Sequence, residues 1–212
     1  MTDALGKFSE TIEAHAARYG AHLDARARER LGVYYEHLSK WNARLHLVAP
    51  CPPAEFATRH VLESLTATAY MPEGARVCDV GSGGGLPVIP CLLARPDVRR
   101  ATLVEASAKK AVFLREAVSR LELQDKAVVL AERFERASAP EADVLTCRAL
   151  ERFTEMYAQL VRWSSPHVSR LLLFGGTALG ELIAGDQTVR LHATLRMPDS
   201  EQRFLFVVER NG

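Results

Sequence analysis

The sequence predicts an α/β fold: a mostly parallel, doubly wound sheet that ends in a C-terminal antiparallel hairpin and is preceded by a helical segment. Three observations predict it. Up to about residue 70 the apolar residues recur at helical spacing; from Arg76 onward short β-rich runs alternate with helical stretches; and the last two runs are joined only by Met197-Pro198-Asp199-Ser200. Strands separated by helices pair parallel because a helix carries each return across the sheet, whereas a short link with no helix leaves room only for a hairpin. Residues 1–70 are therefore expected as a helical subdomain and 71–212 as the sheet-bearing domain. A chain of 212 residues suits one domain with a small appendage.

The elements follow in order. Ile12, Ala16, Tyr19 and Leu23 form a weak helical stripe, and Leu31, Tyr34, Tyr35, Leu38, Trp41 and Leu45 a strong one. Pro50-Cys51-Pro52-Pro53 breaks the helix, and Glu55 to Tyr70 reads as the next, bearing Phe56, Leu62 and Leu65. Strands are predicted at Arg76 to Val80, Ala101 to Glu105, Ala127 to Leu130, Ala142 to Cys147, Val168 to Phe174, Val189 to Leu195 and Phe204 to Glu209. Helices are predicted at Pro87 to Leu93, Ala108 to Leu121, Arg152 to Trp163 and Ala178 to Ile183.

Composition bounds the function. Hydrophobic residues at 48% and charged residues at 25% are globular values. Asp3, Lys7 and Glu10 interrupt any apolar export signal at the start. The least charged stretch, Val77 to Ala94, contains Asp79, four glycines and two prolines and cannot span a membrane. A soluble, monomeric, cytoplasmic protein with no membrane partner is expected. Cys51, Cys78, Cys91 and Cys147 are far apart, without a CxxC pair, so neither a metal site nor a disulfide framework is expected. The net charge is only +1, yet all but five of the 27 basic residues are arginine, whose planar fork suits phosphate. That balance permits an RNA partner without requiring one.

The strongest local signal is Val77-Cys78-Asp79-Val80-Gly81-Ser82-Gly83-Gly84-Gly85-Leu86, a strand, a glycine turn and a helix start. Glycines there let the backbone approach a ligand closely. The dinucleotide pattern GxGxxG fails at Leu86; the spacing present is GxGxG after an acid. That suits S-adenosylmethionine, which has no pyrophosphate to seat on the helix. Glu105 ends the second strand, 24 positions after Gly81, where a carboxylate can accept ribose hydroxyls. The bland alternative is a tight turn beside a solvated glutamate. Asp79, Gly81, Ser82, Gly83 and Glu105 are the candidate cofactor residues.

Motifs along nearly the whole chain carry a resemblance: Lys40-Trp41-Asn42, Arg59-His60-Val61-Leu62-Glu63-Ser64-Leu65, Asp79-Val80-Gly81-Ser82-Gly83, Leu86-Pro87, Lys109-Lys110 with Phe113-Leu114, Arg133-Phe134-Glu135 and Arg148-Ala149. In these the sequence resembles the bacterial small-subunit ribosomal RNA methyltransferase G family, also called glucose-inhibited division protein B. The resemblance implies a class I S-adenosylmethionine-dependent, Rossmann-like methyltransferase fold. It also implies methylation of guanine N7 in small-subunit (16S) ribosomal RNA near the decoding site. Gly81 and Leu86 match family residues that contact the cofactor, Phe134 and Glu135 the pair against its adenine end, and Arg148 the arginine beside the active site, taken here as the catalytic residue. The family usually has Asp at Glu63, Asn at His46, Gly at Val88 and Lys-Gly where this chain has Phe174-Gly175. Phe174 then either stacks on a base or packs in the core.

Guanine N7 has a free lone pair at neutral pH, so its methylation needs no general base and catalysis is positioning. Arg148 would bind an RNA phosphate or guanine O6. A-form RNA hides N7 in its deep groove, so an unpaired guanine in a loop is the expected target, in free RNA or in the small ribosomal subunit. Lys40, Arg44, Arg59 and His60 are the candidate RNA contacts, with Arg26, Arg28 and Arg30 on the adjoining helix. Glu29, Glu36 and Glu55 are interleaved, so solvated helix faces are the alternative. His60 could equally orient Glu63 or a backbone group, and Trp41 reads as a core anchor. Two rival functions remain: a cytosine-C5 RNA methyltransferase using Cys147 as nucleophile, and a non-catalytic ribosome assembly factor that keeps the cofactor fold.

Overall fold

The computed structural model describes residues 2–148, 153–164 and 168–211. The chain opens with α1 (Thr2–His15), which passes through a 3-10 turn, Ala16–Tyr19, to Gly20 in the left-handed region. The weak stripe of Ile12, Tyr19 and Leu23 thus crosses a break that only glycine makes cheaply. In α2 (Ala25–Leu45) the Asp24 side chain caps the start by accepting the Ala27 N–H, and Leu31, Tyr34 and Leu38 are buried as their spacing predicts. After the prolines the chain is helical over 53–70 in four pieces: α3 (Pro53–Glu55), a π-helical stretch Phe56–Leu62, α4 (Glu63–Leu65) and a 3-10 turn Thr66–Tyr70.

The second part follows the predicted alternation: β1 (Arg76–Val80), α5 (Val88–Ala94), β2 (Arg100–Val104), α6 (Ala108–Arg120), β3 (Ala127–Leu130), β4 (Val144–Arg148), α7 (Phe153–Ser164), β5 (Arg170–Gly175), α8 (Thr177–Gly185), β6 (Val189–Arg196) and β7 (Phe204–Arg210). Predicted and observed bounds differ by one or two residues. Arg152, the predicted start of α7, and Ala149 lie outside the described residues. The seven strands lie in the order β3-β2-β1-β4-β5-β7-β6, all parallel except β7, which is antiparallel to both neighbours. The hairpin therefore inserts its second strand next to β5 and leaves β6 at the edge.

Burial explains the order. β1, β4 and β5 are covered on both faces and read as continuous apolar runs, whereas edge strand β6 is mostly exposed. One core unites Phe8, Leu31, Tyr34 and Leu38 of the N-terminal helices with Val77, Leu103, Phe113 and Leu114. The other lies on the opposite sheet face, where Tyr157, Leu160 and Leu179 cover Leu145, Cys147 and Leu173. Trp41 packs edge-on to Phe113 of α6, with ring centroids 6.1 Å apart, so it anchors α2 to a sheet-flanking helix. Among the described residues no helix is long and apolar enough to cross a membrane.

Candidate active site

The topology brings the chemistry to one edge of the sheet. Val80 of β1 is in register with Val104 of β2 and Cys147 of β4, and Arg148 with Phe174 of β5. The residues that follow, Gly81, Glu105, Arg148 and Phe174, thus emerge side by side at the carboxyl ends. Antiparallel β7 enters at the same edge, Phe204 opposite Gly175. Between β1 and β4 the winding reverses, which is where ligands bind in open α/β sheets.

A cavity of about 620 Å³ opens there. One side is the glycine turn, Leu86, Glu105, Ala106 and Lys110; the other is Arg59, His60, Glu63, Arg148, Phe174 and the hairpin residues Gln202, Arg203 and Phe204. Leu47, Val48 and Ala49 also line it.

The glycine turn is held from several directions. Gly81 and Ser82 donate to the Val104 carbonyl at 2.9 and 3.1 Å, and the Tyr34 hydroxyl of α2 donates to the Gly84 carbonyl at 2.7 Å. Gly85 has φ +84°, and a Cβ there would lie 2.8 Å from Ile89 Cγ1, so glycine is required. Glu105 accepts the Gly83 N–H on Oε2 at 2.8 Å and the Ser107 N–H on Oε1 at 2.7 Å. It is a structural partner of the turn rather than a solvated residue, and each oxygen keeps lone-pair capacity for a hydroxyl. Asn42 exchanges two hydrogen bonds with Val48, at 2.9 and 3.1 Å, and so pins the loop that lines the cavity.

Beneath the turn Asp79 is fully buried. Its Oδ1 accepts the Thr146 hydroxyl at 2.6 Å, while Oδ2 has no partner among the described residues. Burial pushes its pKa up to about 7. Asp79 supports the turn without lining the cavity.

At the other end stands a buried ionic cluster. Glu63 accepts from Arg148 Nη2 on Oε2 at 3.1 Å, and from Arg203 Nε and Nη2 on Oε1 at 3.0 and 2.8 Å. Arg148 also donates to the carbonyls of Arg59, at 2.6 Å, and His60, at 3.4 Å, and to Ser64 Oγ at 3.1 Å. Those carbonyls lie in the π-helical stretch. The Arg148 guanidinium sits 5.4 Å from the Phe174 ring centroid, an energetically favourable cation–π approach. Phe174 is thus a nearly buried platform under Arg148. His60 leans on Phe56, and burial together with Arg148, Arg59 and Arg203 lowers its pKa to about 3, so it is neutral at pH 7.

Of the residues singled out from sequence, Gly81, Ser82, Gly83, Leu86, Glu105, Arg148, Arg59 and His60 meet in this cavity. Lys40 and Arg44 are exposed on α2 and do not line it, and Phe134 and Glu135 also lie outside the lining. Phe134 is buried edge-on to Trp163 in the second core; Glu135 faces Arg133, not Arg148. Cys147 speaks against the rival cytosine-C5 reading: strand alternation turns it away from Arg148 into the second core, fully buried, so it cannot be a nucleophile in this cavity. Sequence reasoning passed over Tyr34, Gln202, Arg203 and Phe204. Tyr34 was hidden in an apolar stripe, and nothing local marks the hairpin residues.

The fold is found in solved methyltransferases. An O-methyltransferase from Bacillus cereus, solved in complex with SAH, superposes with a TM-score of 0.60 over 84% of this chain and 91% of that one at 18% identity. The sheet order and the glycine turn at the winding reversal accordingly define a Rossmann-like fold of the kind that methyltransferase has. Residues 27–203 match the family described as GidB, rRNA small subunit methyltransferase G. Proteins named ribosomal RNA small subunit methyltransferase G are 34% identical in Desulfotalea psychrophila, over 80% of both chains, and 39% identical in Neisseria gonorrhoeae, over 74% of this chain and 72% of that one. The chain belongs to this family, and it is an S-adenosylmethionine-dependent methyltransferase.

The residues present fit that cofactor. The turn offers bare backbone, and Glu105, which lines the cavity beside it, keeps acceptor capacity for hydroxyls.

Proposed function

We propose that this chain methylates N7 of a guanine in small-subunit ribosomal RNA, with the base entering the cavity between the π-helical stretch and the β6–β7 hairpin. The observation that carries the reading is the charge and protonation state of the lining. Arg59, Lys110, Arg148 and Arg203 face it against two carboxylates, and both carboxylates are engaged, Glu63 by arginines and Glu105 by backbone N–H groups. His60 is too weakly basic to take a proton at pH 7. A cationic cavity without a poised base suits an RNA acceptor whose nucleophile already carries a free lone pair. The relatives' name, ribosomal RNA small subunit methyltransferase G, points to the same acceptor.

S-adenosylmethionine, when bound, supplies an electrophilic methyl group on sulfur. The chain contributes position. Glu105 and the glycine turn would hold the cofactor's hydroxyls and backbone-facing end, while Phe174, Met197 and Phe204 contribute apolar lining. The Arg148–Glu63–Arg203 cluster ties the far wall together through charge-assisted hydrogen bonds. Well-oriented reactants can supply roughly 7–11 kcal/mol of a barrier, a large part of what a reaction without proton transfer asks of the chain. Arg59, which lines the cavity, would meet the phosphates, and the exposed Lys40 and Arg44 of α2 would do so outside it.

The test is transfer of labelled methyl from S-adenosylmethionine to small ribosomal subunits that lack N7-methylguanosine, followed by nucleoside digestion and mass spectrometry. Labelled N7-methylguanosine is expected. Label in another nucleoside, or none, would refute the reading.

A further inference from the structure

We propose that Arg203 selects guanine at the acceptor end of the cavity, by donating from Nη1 to guanine O6; this rests on the N7 reading above. Among the lining cations Arg203 alone combines a fixed orientation with an unengaged amino group. Its Nε and Nη2 both donate to one oxygen of buried Glu63, at 3.0 and 2.8 Å, which fixes the plane of the guanidinium. Its Nη1 has no hydrogen-bond partner among the described residues, and its side chain is 39% exposed while lining the cavity. Arg148 differs on each point. Both its terminal nitrogens already donate, to the Arg59 and His60 carbonyls, Ser64 and Glu63, and its side chain is 12% exposed. Arg59 is held only by the half-exposed Glu55, at 3.1 Å, which leaves it free to follow a phosphate but poorly fixed for reading a base.

The chemistry of the base supplies the selection. Guanine presents O6, an acceptor, beside N7; adenine keeps N7 but presents an amino donor at position 6. An arginine N–H set toward that edge attracts guanine and opposes adenine. Arg203 arrives there because β7 starts opposite Gly175, at the ends of β4 and β5.

The test compares small-subunit RNA carrying guanine or 2-aminopurine at the methylated position; 2-aminopurine retains N7 and lacks O6. Single-turnover transfer and equilibrium RNA affinity are measured for the wild-type chain, Arg203→Met and Arg203→Lys, with Tm as the check on folding. Wild type is expected to favour guanine by roughly 10-fold or more, the discrimination of a good base contact. Arg203→Met should lose about that factor on guanine beyond whatever it loses on 2-aminopurine through the wall it shares with Glu63, so that the ratio approaches one in both readouts. Arg203→Lys, which keeps a cation beside Glu63, should retain part of the preference. If Arg203→Met is slower yet keeps the wild-type ratio, Arg203 only supports Glu63 and the inference is overturned. An unchanged guanine rate overturns it as well. Absence of N7-methylguanosine from the wild-type reaction would instead remove the reading on which the inference rests.

Discussion

Replacing Glu63 by glutamine tests the ionic cluster that walls the acceptor end. The carboxylate is almost wholly buried and holds three charge-assisted hydrogen bonds, one from Arg148 and two from Arg203, between 2.8 and 3.1 Å. Glutamine keeps the shape but removes the charge and turns one oxygen into a donor, which must then face the donors of one arginine. Arg148, nearly buried, is left without its counter-charge, and breaking such a pair costs about 3–5 kcal/mol. At roughly 2–4 °C per kcal/mol for a chain of this size, Tm should fall by about 6–20 °C. Differential scanning calorimetry reads this directly, and a double variant, Glu63→Gln with Arg203→Met, should be less destabilised than the sum of its parts, because the two residues share an interaction. A fall of less than about 2 °C, or strict additivity, would refute the reasoning and reduce the cluster to a set of weak surface contacts.

Three further outcomes are expected. Tyr34→Phe deletes the hydroxyl that donates to Gly84 O at 2.7 Å; leaving that carbonyl unpaired costs about 1–3 kcal/mol, so Tm and, by titration calorimetry, S-adenosylmethionine affinity should both fall, and a variant that matched wild type in both would mean the bond does not hold the turn. Asp79 has its pKa raised from 3.8 to about 7 by burial, so between those values the folded chain binds a proton that the unfolded chain releases. This group's contribution to stability is therefore complete below pH 4 and is lost as pH rises to about 7. The Tm of Asp79→Asn relative to wild type should climb across that window and level off above it, and a flat difference would show that Asp79 is not a buried acid. Cys147→Ala should retain methyl transfer to small subunits, since its side chain lies on the sheet face away from the cavity; loss of more than about tenfold without a change in Tm would restore a chemical role for the thiol.

Much of this molecule is legible in the order of its residues, for identifiable reasons. Alternation of β-rich and helical runs is a local property, so all seven strands and the C-terminal hairpin could be placed within a residue or two. The glycine turn is legible too, because positive φ at Gly81, Gly83 and Gly85 is a demand on the backbone that only glycine meets cheaply. Glu105 was found by its distance in sequence from that turn, a consequence of the βαβ geometry. Local rules failed where partners come from far along the chain. The stretch Phe56–Leu62 carries the side-chain pattern of an ordinary helix, yet it is π-helical, and the carbonyls of Arg59 and His60 bond to Arg148, more than 80 residues away in sequence.

The sequence by itself determined the layers, the cofactor turn and the family, since each rests on spacing or on residue types at fixed offsets. Only the tertiary structure decided which charges meet. Glu63 in α4, Arg148 in β4 and Arg203 just before β7 form one buried cluster because the sheet order puts β4, β5 and β7 side by side and packs the 53–70 helical segment over their ends. The same packing turned Cys147 away and fixed Phe174 under a guanidinium. It also aimed at the cavity an arginine that nothing in its own neighbourhood distinguishes, because burial and long-range pairing, unlike periodicity, belong to the folded chain and not to any window of its sequence.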